Sequence, residues 1–527
     1  MKGNMKAIYK LFIFNLFTLL ALSACNDEDS VDDVIVAGDN ISPVSSFSVE
    51  TTDADNELLV KWVCPLNRDL DMVEISYRDV SEEVTRSVYS PGCITIPAES
   101  GASCEYLITV PYFSLYEVSA VAISKSGKRS VVENRRLTPY REKEEEVELE
   151  LPAMLSRTHS YMTTIIGLYF GKSSRSCWRS NYPYNGGAYC DGDALVWGQG
   201  AGLSAFVAMR EAAMESEVEN IYAAMDEMMF KGIQNFYKKD HNIWAYSCYP
   251  AAGNERYYDD NVWIGLDMAD WYGLTKEMRY LTQAEAVWRY LIDHGWDETC
   301  GGGVHWRELN SHTTSKHSCS TAPTAVLGCK LYLLTGEQEY LDWAIKCYDY
   351  MLNVLQDKSD HLFYDNVRPG KDDPNQPGDI EKNKYSYNSG QPLQAACLLY
   401  KITGEQKYLD EAYAIAESCH KKWFIPYRSK ELNLTFNIFA PKQDMWFNTI
   451  MCRGFFELYS IDNNRKYVDD IEKSMIHAWE SSCHQSNNLL NDDDLRGGTT
   501  KTSWEIRMQG ALVELYARLA VLERENR

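Results

Sequence analysis

The alternation of apolar and polar positions changes rhythm near residue 150. Between 41 and 140, LLVKWV (58–63), MVEISY (72–77), CEYLITV (104–110) and LYEVSAVAI (115–123) are short runs rich in β-branched and aromatic residues, separated by turn formers. Val73, Ile75 and Tyr77 alternate with Glu74 and Ser76, the period of a half-buried antiparallel strand. About seven such strands in roughly 100 residues predict a small all-β sandwich. From 153 onward the period is helical. Tyr340, Leu341, Ala344, Ile345, Tyr348, Met351, Leu352 and Leu355 lie on one helical stripe. LYLLTGEQEYL at 331–341 returns as LYKITGEQKYL at 399–409, and more loosely as WYGLTKEMRYL at 271–281 and LYSIDNNRKYV at 458–468. The copies share a Tyr pair eight apart: Tyr272 and Tyr280, Tyr332 and Tyr340, Tyr400 and Tyr408, Tyr459 and Tyr467. Each joins the end of one helix to the start of the next, so the region is an array of helical hairpins. About twelve helices between 154 and 523 make six hairpins, and a row of that size buries both faces of each only by closing on itself. The expectation is mainly α: an (α/α)6 barrel over 153–527, preceded by the β-sandwich over 41–140 and a charged linker over 141–152. Its inner helices are expected near 197–213, 260–273, 317–334, 385–402, 443–460 and 502–523, with an open solenoid as the alternative.

The first 40 residues belong to neither pattern. Lys2, Lys6 and Lys10 precede the apolar run LFIFNLFTLLAL at 11–22, which is too short to span a bilayer but suits a signal peptide. The small residues Ser23 and Ala24 before Cys25 resemble a bacterial lipobox, which implies a signal peptide over 1–24 and lipidation of Cys25. Residues 25–40 carry six acidic side chains and no basic one. This acidic tether resembles the surface-export signal of Bacteroidetes lipoproteins, implying an outer-membrane lipoprotein at the cell surface.

Charge narrows the partners. The chain has 52 Lys and Arg against 76 Asp and Glu, a formal net charge of −24, which repels nucleic acid and anionic lipid. Membrane contact is therefore expected only through the anchor at Cys25. Fourteen Trp, 35 Tyr and 16 Phe supply flat faces for an uncharged ligand. No CxxC or Cys/His cluster stands at zinc spacing, so no metal is expected. Cys329, Cys347, Cys397, Cys419 and Cys452 read as buried thiols on helical stripes, whereas Cys93 with Cys104 and Cys177 with Cys190 are candidate bridges that spacing alone does not decide. The order Pro43, Trp62 and YEVSAVAISKSGKRS (116–130) resembles a fibronectin type III-like module, read first as a spacer and second as a glycan-binding accessory.

Candidate chemistry centres on YYDDNVWIGLDMADWYGL at 257–274. An Asp at a helix start is ordinarily an N-cap, but one carboxylate suffices for that, and Asp259 is followed by Asp260. Glycoside hydrolysis uses two carboxyls, about 5–5.5 Å apart in retaining enzymes. Two such neighbours resist joint ionisation, which separates a nucleophile from a proton donor. HExxH is absent although His312 and His317 flank a polar turn. GGG at 301–303 lacks the rest of a phosphate loop, and no G-x-S-x-G occurs.

DDNVW after a Tyr pair resembles the signature of glycoside hydrolase family 76, endo-acting α-1,6-mannanases with an (α/α)6 fold. Looser likenesses follow in VWGQGAGLSAF (196–206), CGGGVHW (300–306), YSYNSGQ (385–391), RGFFELY (453–459) and EIRMQGALVELYARLA (505–520), covering about 160–523. The resemblance implies hydrolysis of internal α-1,6-mannosidic bonds in mannan or mannooligosaccharides by a retaining double displacement without cofactor. Asp259 would be the nucleophile and Asp260 the acid/base. Val262 departs from the usual Ala, and His305 stands before Trp306 where an aromatic is common, a change expected to alter a sugar subsite. Trp197, Trp244 and Trp306 are the candidate stacking platforms, although core packing is the more ordinary reading of each one taken singly. Gln199, Tyr387 and Asn388 are candidate partners for hydroxyls, and Tyr258 and Asn261 flank the Asp pair. Arg453 reads equally as a clamp on a catalytic carboxylate or as a structural ion-pair partner. The competing functions are a non-catalytic glycan-binding lipoprotein, another (α/α)6 hydrolase such as an unsaturated uronyl hydrolase, which would need cations in its cleft, and a His-dependent sugar epimerase.

Overall fold

The computed structural model describes residues 41–526 apart from 53, 55, 81–91, 111–114, 140–148, 173–174, 185–191, 252–254, 309–314 and 499–500. The expected signal peptide, Cys25, the acidic tether, most of the charged linker, Cys190 and His312 lie outside the described residues. The rest divides into two compact units between Leu149 and Glu150.

The first unit holds β1 (Ser45–Thr51), β2 (Glu57–Val63), β3 (Leu70–Asp79), β4 (Gly92–Pro97), β5 (Ser103–Thr109), β6 (Tyr116–Ser124) and β7 (Glu133–Leu137). They form two antiparallel sheets, β1-β2-β5 and β4-β3-β6-β7. Alternate residues of both sheets meet in one core: Leu58, Val60 and Trp62 of β2, Val73 and Ile75 of β3, and Val118, Ala120 and Ala122 of β6. Cys93 and Cys104 sit in different sheets and are both free thiols, so the candidate bridge between them is absent. Cys104 Sγ instead lies 3.8 Å from Cys64 Sγ, because both belong to the β1-β2-β5 side.

The second unit is a double ring of helices. The inner ring is α2 (Val196–Ala213), α5 (Tyr258–Thr275), α7 (Ser318–Thr335), α9 (Ser386–Thr403), α11 (Met445–Asp462) and α13 (Ile506–Glu525). The outer ring is α1 (Ala153–Tyr169), α4 (Asp226–Gln234) after the short α3 (Glu219–Ala223), α6 (Met278–Tyr290), α8 (Gln338–Tyr350), α10 (Gln406–Trp423) and α12 (Val468–Glu480). Each inner helix packs on the next, and α13 returns to α2, so the ring closes and the open solenoid is excluded. Burial follows from this. α7 is enclosed nearly all round, whereas α6 buries one stripe through Tyr280, Leu281, Ala284, Val287 and Trp288. Short antiparallel strands fill the inter-helix loops: β8 (Asn181–Tyr182) with β16 (Trp504–Glu505), β9 (Tyr237–Asp240) with β10 (Ile243–Tyr246), β11 (Lys316–His317) with β12 (Asn366–Pro369) and β13 (Pro377–Glu381), and β14 (Phe424–Ser429) with β15 (Leu434–Phe439).

The repeat has a local cause. The first Tyr of each copy offers its carbonyl to the N–H of a left-handed residue four places on, at Lys276, Gly336, Gly404 and Asn463. Thr275, Thr335 and Thr403 complete three of the turns, each hydroxyl bonding the carbonyl four residues back and accepting the N–H two residues ahead. The second Tyr, at 280, 340, 408 or 467, is buried at the start of the outer helix. Glycine adopts a positive φ freely, whereas Lys276 sits there at φ 60° with a side chain. Lys276→Gly is therefore expected to raise stability by about 0.5–1 kcal/mol in urea unfolding, the lost stacking on Tyr272 offsetting part of the gain.

Candidate active site at the inner-helix rim

All six inner helices begin at one rim, and the second residue of each faces the same space: Trp197, Asp259, Cys319, Tyr387, Trp446 and Arg507. Contacts run round this set. Cys319 Sγ lies 3.5 Å from Asp259 Oδ2, and Cys319 acts on the ionisation of Tyr387. The Trp446 ring lies 6.0 Å from Tyr387 and 5.2 Å from Trp197, and the Arg507 guanidinium sits 4.2 Å over Trp197.

The carboxylate pair is not a cap. The N-cap of α5 is Tyr257, in extended backbone, and no side chain caps the helix. By contrast Asp444 does cap α11, accepting the Phe447 N–H at 3.1 Å. Asp259 Oδ2 accepts the indole N–H of Trp306 at 3.0 Å, and Oδ1 accepts the Asp260 N–H at 2.9 Å. Burial pushes the Asp259 carboxyl up to about 6, against the pull of Trp306, the backbone N–H groups and Cys319. Asp260 is pushed well higher, by burial and then by the charge of Asp259, and no donor to its carboxyl offsets this among the described residues. The two neighbours are thus unequal: Asp259, held by donors, is the easier to ionise, and burial with the charge of Asp259 keeps the proton on Asp260.

Aromatic faces flank the pair. Trp306 is 38% exposed and stacks on His317 at 5.5 Å. Trp244 is 50% exposed on β10 and stacks on Tyr237 at 5.3 Å. Tyr387 stacks on Phe447 at 4.1 Å and 9°. Trp197 is half-buried against Trp446 and Phe447. Trp306, Tyr387 and Trp197 thus lie at the rim, while Trp244 is an exposed ring on the β9-β10 hairpin.

Five other expected sugar contacts are structural. Gln199 is buried, holding the Trp178 N–H, the Trp178 carbonyl and the Ala194 carbonyl at 2.8–3.0 Å. Tyr258 is buried against Tyr290, with its hydroxyl on the His294 carbonyl at 2.8 Å. Asn261 is buried and pins β10 to α5, accepting the Tyr246 N–H at 2.7 Å and donating to the Tyr246 carbonyl at 2.9 Å. Asn388 is buried and donates to Asp365 at 3.0 Å. Arg453 lies in the core, bidentate to Glu514 at 2.7 and 2.9 Å, and its ion pairs run to Glu514 and Asp267 rather than to Asp259 or Asp260. His305, expected beside a sugar, is buried with Nε2 2.9 Å from Asp297. In each case the side chain is buried with a polar atom spent on main chain or on a charged partner, turned away from the open rim.

Cys319, Trp446, Phe447, Arg507, His317 and Asp365 were not expected at the rim. The repeat carries a signal for some of them: thirteen residues before Tyr272, Tyr332, Tyr400 and Tyr459 stand Asp259, Cys319, Tyr387 and Trp446. Asp365 acts on the ionisation of both Cys319 and Tyr387, placing a third carboxylate beside the site. The Arg507 guanidinium is committed to Asp444, at 2.6 Å, and to Glu505. Among the described residues no three His, Cys, Asp or Glu side chains converge as a metal site requires.

Residues 153–526 match the sequence model of glycosyl hydrolase family 76. A solved glycoside hydrolase family 76 (mannosidase) structure from Bacteroides thetaiotaomicron VPI-5482 is 85% identical, covering 71% of this chain and 100% of that one with a TM-score of 0.71. A family 76 glycoside hydrolase from a bovine strain of that species is 50% identical, covering 92% of this chain and 100% of its own with a TM-score of 0.69. The mannan endo-1,6-α-mannosidase of Candida albicans is 33% identical over 144 residues, 26% of this chain, and the match spans only 31% of that relative.

Proposed function

The chain belongs to glycoside hydrolase family 76, and from that premise we propose that it hydrolyses internal α-1,6-mannosidic bonds of a mannan backbone by a retaining double displacement. The observation that carries the reading is the unequal carboxylate pair. Asp259, ionised and oriented by Trp306, attacks the anomeric carbon. Protonated Asp260 delivers its proton to the leaving oxygen, then takes one from water as the glycosyl ester is hydrolysed. Trp244, Trp306, Tyr387 and Trp197 offer faces for pyranose rings. Pairing of Arg507 with two carboxylates disfavours an acidic uronyl substrate.

Debranched α-1,6-mannan should yield a ladder of oligosaccharides, α-anomers first by proton NMR. Release of mannose alone would remove the endo assignment, β-anomers first would remove the retaining one, and mannan binding without cleavage would leave a binding protein. Because Asp259 must be ionised and Asp260 protonated, kcat/KM should fall on the acid side with a midpoint near pH 6 and again at higher pH as Asp260 ionises. A flat profile from pH 5 to 7 would contradict the assignment.

We further propose a signal peptide, lipidation at Cys25 and an outer-membrane surface location, supported by the apolar run, the small residues before Cys25 and the acidic stretch after it. An unacylated N-terminal peptide in the mature protein would overturn the anchor.

A further inference from the structure

Lys316 is fully enclosed, 0% exposed, although it immediately precedes a residue of the cleft. Its ammonium donates to Asp297 Oδ1 at 2.7 Å, to the Gly303 carbonyl at 2.7 Å and to the Asp297 carbonyl at 3.3 Å. The Asp297 carboxylate also takes the Thr299 N–H at 3.0 Å and His305 Nε2 at 2.9 Å. With Nε2 donating, His305 Nδ1 is left buried without a partner.

This cluster ties together three pieces of chain. Extended bridges join Trp296 to Val304 and His305 to Lys316, and the His317 N–H reaches the Val304 carbonyl at 3.3 Å. Lys316 and His317 pair in turn with Val367 and Asn366 of β12. Side chains alternate along such strips, so the neighbours of the two buried residues point the other way. Past His305 comes Trp306, and past Lys316 comes His317. Those two rings stack on each other, and the indole N–H reaches Asp259. The Trp306 carbonyl also accepts the Tyr258 N–H at 2.8 Å, joining the strip to the first turn of α5.

We propose that Lys316, through Asp297 and the Gly303 carbonyl, is a positioning residue for the nucleophile: it locks the two strips whose outward residues, Trp306 and His317, aim the indole N–H at Asp259. The inference rests on the reading of Asp259 as nucleophile.

The charges are consistent with a fixed lock. Burial pushes Asp297 up, but Lys316, Thr299 and His305 together outweigh it and leave the carboxyl well below its ordinary range. Burial pushes the Lys316 ammonium down, partly offset by Asp297, with Cys300 and Glu298 adding to the offset. The two partners differ because the Asp297 side chain is 44% exposed while that of Lys316 is wholly enclosed. Burial, then the charge of Lys316, pushes His305 down, so it stays neutral at pH 7. The ionisable groups acting with Asp259 are Asp260 on its own helix, Cys319 on α7, Tyr387 on α9, and Cys248 before α2's neighbour α5.

The test compares wild type with Lys316→Met, and with Lys316→Met/Asp297→Asn, which leaves no unpaired charge if the single variant fails to fold. Asp297→Asn supplies the same readouts with the lysine in place. Circular dichroism monitors folding. Trp306 emission, isolated as the difference from the matched Trp306→Phe protein, is titrated from pH 4 to 8, and the acid limb of kcat/KM is recorded alongside. Loss of the indole's hold should move the Asp259 midpoint up by about one pH unit, tenfold in ionised fraction. Trp306→Phe should move the acid limb equally, and combining it with Lys316→Met should add nothing further. Folded variants with an unmoved midpoint, or shifts that add, would overturn the proposal. Should the emission titrate and shift while wild type cleaves no mannan, the proposed reaction fails and the positioning role stands.

Discussion

Asp259→Asn is expected to fold, to retain α-1,6-mannooligosaccharide binding, and to turn over at least roughly 10⁴-fold more slowly than wild type, because an amide cannot form the glycosyl ester. Asp260→Asn should lose about 10²–10⁴-fold on mannan, the usual contribution of a positioned general acid. An aryl α-mannooligoside separates the two: its leaving group departs without a proton, so glycosylation should recover in Asp260→Asn and stay absent in Asp259→Asn. Stability should move the opposite way from activity. Both carboxyls ionise at higher pH in the fold than in the open chain, so the fold binds extra protons and loses stability as pH rises from about 4 through their folded values. At pH 7 either Asn variant should therefore be more stable than wild type, by on the order of 1–2 kcal/mol after allowance for partial solvent access, with the gain vanishing near pH 3. An active Asp259→Asn enzyme, or one less stable at pH 7, would remove the pair from the mechanism.

Arg453→Met should cost about 3–5 kcal/mol of folding stability while leaving the midpoint of the catalytic acid limb where it is. Two turns below the rim, Arg453 holds both oxygens of Glu514, and Arg518 reaches the same carboxylate at 2.7 Å. Asp267 lies 3.9 Å from Arg453 and takes the Ser204 hydroxyl at 2.8 and 2.9 Å. Burial alone pushes both carboxyls up. The two guanidinium groups reverse this at Glu514, holding it at about 2, whereas Asp267 remains raised to about 8 and is protonated at neutral pH. Removing Arg453 leaves the buried Glu514 carboxylate with Arg518 as its remaining ion-pair partner among the described residues. Arg453→Met/Glu514→Leu should regain most of the loss, since no charge is then left unpaired. Urea unfolding decides between the variants: a single-variant loss under about 1 kcal/mol would mean that this ionic layer does not hold the ring closed.

The ring was legible because its repeat is written into main-chain geometry: a Tyr carbonyl, a left-handed residue and a Thr hydroxyl recur where α5, α7 and α9 each turn into the next outer helix. Asp259 and Asp260 were legible because adjacent acids at a helix start exceed what capping needs. The rest of the rim was obscured by a limit of reading along the chain. Gln199, Tyr258, Asn261 and Asn388 look like sugar ligands in a list of residues near a motif, yet packing turns each toward a backbone group or a carboxylate. Arg453 looked equally suited to the site and to the core, and the choice depended on Glu514, 61 residues later on another helix. Cys319 and Arg507 belong to no catalytic motif, and their height on the inner helices brings them to the cleft.

That common height bears on how such a cleft diversifies. One side chain from each of six hairpins stands at the second helical position around the same space, while the cap turns at the far ends of these helices carry the repeat of the fold. Selection can thus exchange Trp197, Cys319, Tyr387, Trp446 or Arg507 one codon at a time, without inserting a loop or shifting a helix, and leave the acidic pair in place. Descendants of one ring would then part company in what they accept long before they part in shape.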